Sequence, residues 1–281
     1  MWSHPRTRTD TVTAVAVLQA PPTLDRLLQQ LAPISLAAMG DVALLRRADT
    51  KMLLAEDKLR CVLSEISDDY KVLEIEGRRL HRYQTVYFDT PDYSLYHQHQ
   101  NGQRSRYKVR IRSYIDSGLY FLEVKQKTNQ DLTLKKRLQV PESMHRIDER
   151  GSAFLAATFP YPAATLVPTL YSAFRRVTLV SRHSTERVTV DTDLSYYLHG
   201  NEFTLAGIAI VEVKQPSLPT HSPFIEQLRA LGVRPMSFSK YCLGVAALVP
   251  QVKHNRFKPQ QLVVQRLMED AQHRQAGVLA Q

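Results

Sequence analysis

The 281-residue chain holds only two cysteines, Cys61 and Cys242. Two distant thiols make no disulfide framework and match no zinc spacing, so both read as packing residues in a reducing compartment. No run of roughly 18 or more apolar residues occurs, which excludes a spanning helix. The short apolar stretch VTAVAVLQA follows Arg6 and Arg8, but Leu18 at the −3 position and Pro21 directly after Ala20 argue against a cleaved secretory signal. The expectation is an N-terminal extension on a cytoplasmic protein. Glycine is also scarce, at ten residues scattered along the chain, and none falls in a G-x-x-x-x-G-K-[ST] or G-x-G-x-x-G loop. Any phosphate must then be held by side chains and not by a backbone cradle. The absence of HExxH, CxxC and GxSxG removes zincin, dithiol and nucleophile-elbow chemistry. His97 and His99 lie two apart in the polar turn YHQHQ and read as solvated side chains, not as metal ligands.

What the chain does have is positive charge. Lysine and arginine number 37 against 27 acidic residues, a net charge of +10, while hydrophobic residues at 43% are ordinary for a globular protein. Such a balance calls for an anionic partner, whether nucleic acid, a lipid surface or phosphorylated small molecules.

Local patterns are mostly those of strands. TLDRLLQQL places Leu24, Leu27, Leu28 and Leu31 at helical spacing. ALLRRADTKMLL then reads as a strand, AEDKLRCVLSEI as a helix, and HRYQTVYFD as a strand closed by the turn DTPD. SLYHQHQN is a helical turn ending at Asn101-Gly102. RYKVRIRSY and LYFLEVKQK form a hairpin across Ser117-Gly118. LTLKKRLQV is a strand and IDERGSAFLAATF a helix. LVPTLYSAFRRVTLVSR and TERVTVDTDL make a second hairpin, followed by EFTLAGIAIVEVKQ. SPFIEQLRALG carries the marks of a helix: Ser222 as N-cap, Pro223 at the first position and Gly232 past the end. Another helix starts near FSKYCLGVAAL. There is no regular βαβ alternation, so the fold class is α+β with an antiparallel sheet. The expected division is residues 1–33 as an extension with a short amphipathic helix, 34–249 as the main domain, and 250–281 as a polar, basic tail.

The strands share an unusual feature. In RYKVRIRSY, Tyr107, Val109 and Ile111 fall on one face and Arg106, Lys108, Arg110 and Arg112 on the other. FLEVKQK aligns Glu123, Lys125 and Lys127 opposite Leu122 and Val124, and IVEVKQ aligns Glu212 and Lys214 opposite Val211 and Val213. ERVTVDTD aligns Arg187, Thr189, Asp191 and Asp193. LTLKKRLQV aligns Lys135 and Arg137, RADTKML aligns Asp49 and Lys51, and Arg176 sits in AFRRVTL. A single strand of this kind is an ordinary solvent face. Repeated over many strands, with arginine dominant, the pattern fits bidentate phosphate contact. If the sheet closes into a barrel, these faces converge on a polar tunnel and the apolar faces point outward under the helices. With Ser237 or Ser239 as N-cap, Lys240 in FSKYCLG falls in a first helical turn, where a cation opposes the helix dipole unless both face an anion.

These segments resemble the VTC domain, the polyphosphate polymerase branch of the triphosphate tunnel metalloenzymes (the CYTH-like superfamily). The resemblance is carried by RRADTKMLL, YQTVYFDTPDYSLY, NGQRSRYKVRIRSY, FLEVKQKTN, KKRLQV, RRVTLV, RVTVDTDL, IVEVKQ and FSKYCLG, in the family's order over residues 34 to 248. It implies an eight-stranded antiparallel tunnel that binds triphosphate or polyphosphate with Mg²⁺ or Mn²⁺. By that likeness Lys51, Arg110, Arg112, Lys125, Arg176, Arg187 and Lys240 are the catalytic phosphate ligands, and Glu212 is the metal-binding carboxylate. Arg104, Arg106, Lys108, Glu123, Lys135, Arg137 and Lys214 would bind substrate along the tunnel or its rim. The implied reaction moves the γ-phosphate of ATP onto a growing polyphosphate chain. One departure bears on this. The superfamily's first strand reads ExExK, and here it reads Arg47-Ala48-Asp49-Thr50-Lys51, which counts against simple triphosphate hydrolysis. A non-catalytic polyphosphate sensor and a triphosphatase are the alternatives. Nucleic-acid binding is disfavoured because Tyr107 alternates away from the arginines and offers no stacking platform. A membrane partner that receives the polymer is compatible with the sequence.

Overall fold

The computed structural model describes residues 22–39, 47–130, 132–142, 146–216 and 221–279. The expectations for residues 1–21 and for the start of the strand at 43–46 lie outside them. In chain order the elements are α1 (Leu24–Gln30), β1 (Ala32–Ile34), β2 (Arg47–Ala55), α2 (Glu56–Glu65), β3 (Tyr70–Leu73), β4 (His81–Asp89) and α3 (Ser94–Gln100). Then come β5 (Arg106–Tyr114), β6 (Leu119–Lys127), β7 (Thr133–Val140), α4 (Glu149–Ala156), β8 (Val167–Ser181) and β9 (Arg187–Leu198). The chain finishes with β10 (Asn201–Thr204), β11 (Ile208–Pro216), α5 (Pro223–Ala230), α6 (Lys240–Leu248) and α7 (Lys258–Leu279).

Eight strands form one continuous antiparallel path in the order β2-β11-β9-β8-β4-β5-β6-β7. Three short strands hang from it: β10 on β9, and β3 on β8 with β1 added in parallel to β3. The α+β class and the eight antiparallel strands are as expected. Closure is not. Among the described residues no ladder joins β2 to β7, so the sheet is a curled, open one and not a hydrogen-bonded barrel.

The period-2 alternation decides which side of each strand meets the helices. Val109 and Ile111 of β5 and Leu122 and Val124 of β6 are buried in one cluster with Leu155 of α4. Val188, Val190, Val211 and Val213 of β9 and β11 are buried beneath helices α1, α2 and α5, through Leu27, Leu59, Val62, Phe224 and Leu228. Each of these side chains stabilises the fold by about 1.5–3 kcal/mol relative to exposure. With one face committed to that core, a slip of one residue would bury the charged face, so the register is fixed. The segment before residue 34 belongs to this core as well, since Leu27, Leu28 and Leu31 are buried in it. Beyond residue 249, Val252 and Val264 are buried against α6 and its neighbours.

Helix ends follow the sequence signals. The Ser222 hydroxyl accepts from the Ile225 amide at 3.1 Å and Ser239 from the Cys242 amide at 3.2 Å, each capping a helix start. Gly232 takes φ +72° after α5. A closer constraint lies at Gly244. A Cβ there would stand 2.5 Å from Cδ1 of Tyr196 and 2.7 Å from Cδ2 of Leu170, so only glycine lets α6 lie this near β8 and β9.

Candidate functional site: a cation-lined cavity

The charged faces of the sheet meet around a cavity of about 290 Å³. Lys51, Lys108, Arg110, Arg112, Lys125 and Lys135 line it from β2, β5, β6 and β7. Arg176, Arg187 and Lys214 join them from β8, β9 and β11, and Lys240 comes from the start of α6. β4 contributes Tyr87, so every strand of the eight-strand path reaches the wall. Lys51 and Lys135 come from the two unpaired ends of the sheet and face one cavity, which is how an open sheet still encloses it. A larger groove of about 510 Å³ beside α3 has one aspartate and one histidine in its lining and no lysine or arginine.

Ten cations in one cavity repel one another, and the protein offsets part of that with buried carboxylates. Arg176 makes a two-pronged contact with Asp191, at 2.5 Å from Nε and 2.7 Å from Nη2, and Lys240 Nζ donates to the same carboxylate. Glu123 lies buried behind the wall, where it accepts from Arg110 at 2.8 Å and pairs with Lys135. Glu212 stands 2.9 Å from Lys51 and 3.7 Å from Lys214. Burial alone would raise all three carboxyls. The adjacent cations overcome it, holding Glu123 and Asp191 at about 2 and Glu212 still lower.

The second device is aromatic. Tyr83 and Phe174 stack with ring centroids 5.2 Å apart. Arg176 lies 5.2 and 5.3 Å from the two centroids, Arg112 5.8 and 6.0 Å, and Lys240 4.9 Å from that of Phe174. The ring faces attract cations that would otherwise be driven apart. Nothing in the spacing of Tyr83 and Phe174 marked this floor, because aromatic residues alternate into cores and cavities alike.

Balance is incomplete. The buried Nε of Arg112 has no hydrogen-bond partner among the described residues. Lys125 is pushed down to about 7, first by burial and then by Lys108 and Lys51. Lys135 and Lys214 are each pushed down to about 8, chiefly by burial against the pull of Glu123 and Glu212. Lys108 donates to the Ser239 hydroxyl at 3.0 Å, which ties β5 to the α6 cap. The segment before that cap is held to β2 by the Met236 amide, 2.8 Å from the Lys51 carbonyl.

The wall therefore brings together Lys51, Arg110, Arg112, Lys125, Arg176, Arg187, Lys240, Lys108, Lys135, Lys214 and Glu212 of the residues singled out from sequence. Others lie apart. Arg104 is exposed in the turn before β5, and the exposed Arg137 rests its guanidinium 4.8 Å from the Phe121 centroid. Arg106 lines a neighbouring chamber. Asp193 leaves the alternation at the bulge between β8 and β9, takes φ +53° and pairs with Arg175 at 2.6 Å. His99 is not solvated as expected. Its Nε2 lies 3.2 Å from the Tyr107 carbonyl oxygen, and burial with Lys108 nearby keeps the ring neutral, at about 2. The sequence reading missed Asp191 as the shared counter-ion of Arg176 and Lys240. Its place on the Arg187 face was the available signal.

A hard divalent cation needs oxygen donors. No group of three or more acidic, histidine or cysteine side chains converges among the described residues. Glu212 is ionised and on the wall, with Asp49 nearby on the same face of the β2–β11 pair. That set fits an ion of the Mg²⁺ type, which is held by one or two carboxylates together with substrate phosphates, and does not fit an all-protein cage.

Among curated proteins, none matches the chain. Of solved structures, a candidate adenylate cyclase from Bacillus halodurans is 16% identical, with 69% of this chain and 94% of that chain covered and a TM-score of 0.42. A candidate adenylate cyclase from Vibrio parahaemolyticus is 14% identical over 70% of this chain and 97% of that one, with a TM-score of 0.41. HpAC1 from Hippeastrum, a candidate adenylyl cyclase described as having a dominant triphosphatase activity, is 13% identical over 71% and 96%, with a TM-score of 0.42. The family described as the VTC domain matches residues 46–249, a span that takes in every strand from β2 to β11 and helix α6. With well over half of its length matched, the chain belongs to the VTC domain family.

Proposed function

We propose that this protein is a metal-dependent polyphosphate polymerase that transfers the γ-phosphate of ATP to a growing inorganic polyphosphate chain inside the cation-lined cavity. The observation that carries the reading is the charge of the wall, ten cations against Asp49, Asp191 and Glu212. A chain of phosphates supplies the missing negative charge at regular spacing, and the orphan Nε of Arg112 is a donor waiting for a phosphate oxygen.

In this reading a terminal phosphate oxygen of the chain attacks the γ-phosphorus of ATP. A new phosphoanhydride bond forms, the bond to the β-phosphate oxygen breaks, and ADP leaves. The attacking oxygen is already ionised near neutral pH, so no general base is required. What the protein supplies is alignment and charge stabilisation. Arg110, Arg112, Arg176 and Arg187 hold equatorial oxygens with guanidinium donors, those of Arg110 and Arg176 being the ones Glu123 and Asp191 leave over, while Lys51, Lys125 and Lys240 act as point charges. Glu212 would hold Mn²⁺ or Mg²⁺, which when bound would neutralise charge on the phosphates. An ATP donor puts the reaction in the cytoplasm.

Incubating the pure protein with ATP and Mn²⁺ and resolving the products on a gel tests this. A ladder of polyphosphate accompanied by ADP is the expected result. Tight polyphosphate binding without turnover would make the protein a sensor. Free phosphate released from tripolyphosphate without polymer would make it a triphosphatase, a reading the missing first glutamate of the β2 motif counts against.

A further inference from the structure

Beside the main cavity lies a second chamber of about 190 Å³. The two share Lys108, Lys125, Thr133, Phe238 and Ser239 in their walls, so they adjoin. Beyond the shared residues the chamber adds Arg106, Lys127 and Arg256 together with neutral His99. The described residues of its wall include no aspartate or glutamate. It is thus more uniformly positive than the main cavity, whose wall includes three acidic side chains.

Arg256 comes from outside the matched family region, which ends at residue 249. Its place is nonetheless fixed by packing. The turn that carries it, residues 255–257, is anchored on α3: the Phe257 and Tyr96 rings lie 5.6 Å apart, and the Tyr96 hydroxyl donates to the Lys253 carbonyl at 3.0 Å. The guanidinium itself sits over Gly102, where a Cβ would approach Nη1 to 2.4 Å. Gly102 has φ +70°, a conformation that glycine adopts freely, and its bare Cα makes the seat. Arg106, on the adjoining strand, is steered by a 2.7 Å bond from Nη1 to the Gln103 carbonyl. Bringing these cations to one mouth costs repulsion that a polyanion running out of the main cavity would relieve.

We infer that this chamber is a second phosphate subsite, in which Arg256 clasps the chain where it leaves the main cavity and so raises the protein's affinity for long polyphosphate over short. The inference rests on reading the main cavity as a polyphosphate site and adds to it a length-sensing grip built by the C-terminal segment.

Titration calorimetry with inorganic tripolyphosphate and with a size-fractionated polyphosphate several times longer tests it, without ATP or turnover. The native protein is expected to bind the long chain more tightly than tripolyphosphate. Arg256→Ala should lose roughly fivefold of that gain, as expected for one charge-assisted contact at an exposed site. Gly102→Ala keeps every charge but pushes the guanidinium off its seat, and should lose the gain in the same way. Lys258→Ala, a neighbouring exposed cation, should change it by less than about twofold. If Arg256→Ala keeps the native gain, or if Lys258→Ala loses as much, the grip does not exist. A native protein that binds tripolyphosphate with no gain for the longer chain overturns the second subsite and leaves the main cavity standing, whereas one that binds neither overturns both.

Discussion

Asp191→Asn is the substitution that most exposes how the cavity is balanced. Asp191 is 2% exposed and is shared by Arg176 and Lys240. Its carboxyl is lowered from 3.8 to about 2 by Arg176 and Lys240, against the opposing effect of burial. That shift alone corresponds to stability on the order of 2–3 kcal/mol, fully present above about pH 4 and lost as pH falls through about 2. The amide removes the charge at every pH, leaves Arg176 and Lys240 without their counter-ion and turns an N–H donor toward their own donors. Breaking a buried pair this way costs about 3–5 kcal/mol. At roughly 2–4 °C per kcal/mol for a chain of this size, the phosphate-free variant should melt about 10 °C below the native protein at pH 7. Tripolyphosphate should then rescue it. A ligand at 100 times its Kd adds about 2.7 kcal/mol to either protein, and the variant, with two more uncompensated cations, should bind more tightly and gain more. Thermal melts of both proteins with and without tripolyphosphate measure this directly. A variant that melts within about 2 °C of native in phosphate-free buffer, or a native melting point that phosphate raises by as much or more, would show that Asp191 does not balance the cavity.

Three further outcomes are expected. Arg110→Ala and Glu212→Gln should each lower polymer formation from ATP and Mn²⁺ by on the order of 10²–10³ while unfolding cooperatively in urea; normal ladders on the gel would refute their assignment. The phosphate-free protein should gain stability between pH 7 and 9, because Lys125, Lys135 and Lys214, at about 7, 8 and 8, release protons that the unfolded chain retains. Phosphate binding restores those protons, so tripolyphosphate affinity should fall over the same range with measurable proton uptake, and a flat profile would contradict it. Gly244→Ala should cost about 1–3 kcal/mol by overpacking Tyr196 and Leu170, and by shifting α6 should also displace Lys240 and lower turnover; a variant unchanged in both would show that the close approach does not position the helix.

Much of this site was legible because a strand's side chains alternate with period 2. The valines and leucines of RYKVRIRSY, FLEVKQK, RVTV and IVEVK had one place to go, and their burial forces the intervening cations onto the shared cavity. Helix ends were legible for a similarly local reason, since Ser222 and Ser239 satisfy amides within their own turns. What alternation does not encode is distance across the sheet. β1, β3 and β10 are three or four residues long and carry too few alternations to mark a strand. The open edge between β2 and β7 depends on curl accumulated over eight strands. Asp191 pairs with Arg176 across the β8–β9 ladder, and Arg256 reaches its chamber through packing on α3. Such pairings are tertiary, and no short window contains both partners.

Polymerase, sensor and triphosphatase alike require a phosphate chain bound inside the curled sheet. An experimental structure with tripolyphosphate tests it most directly. The expected result is phosphate density in the cavity, with oxygens at hydrogen-bond distance from Arg110, Arg112, Arg176 and Lys240. Tripolyphosphate on the outer surface, with only water between those side chains, would contradict it.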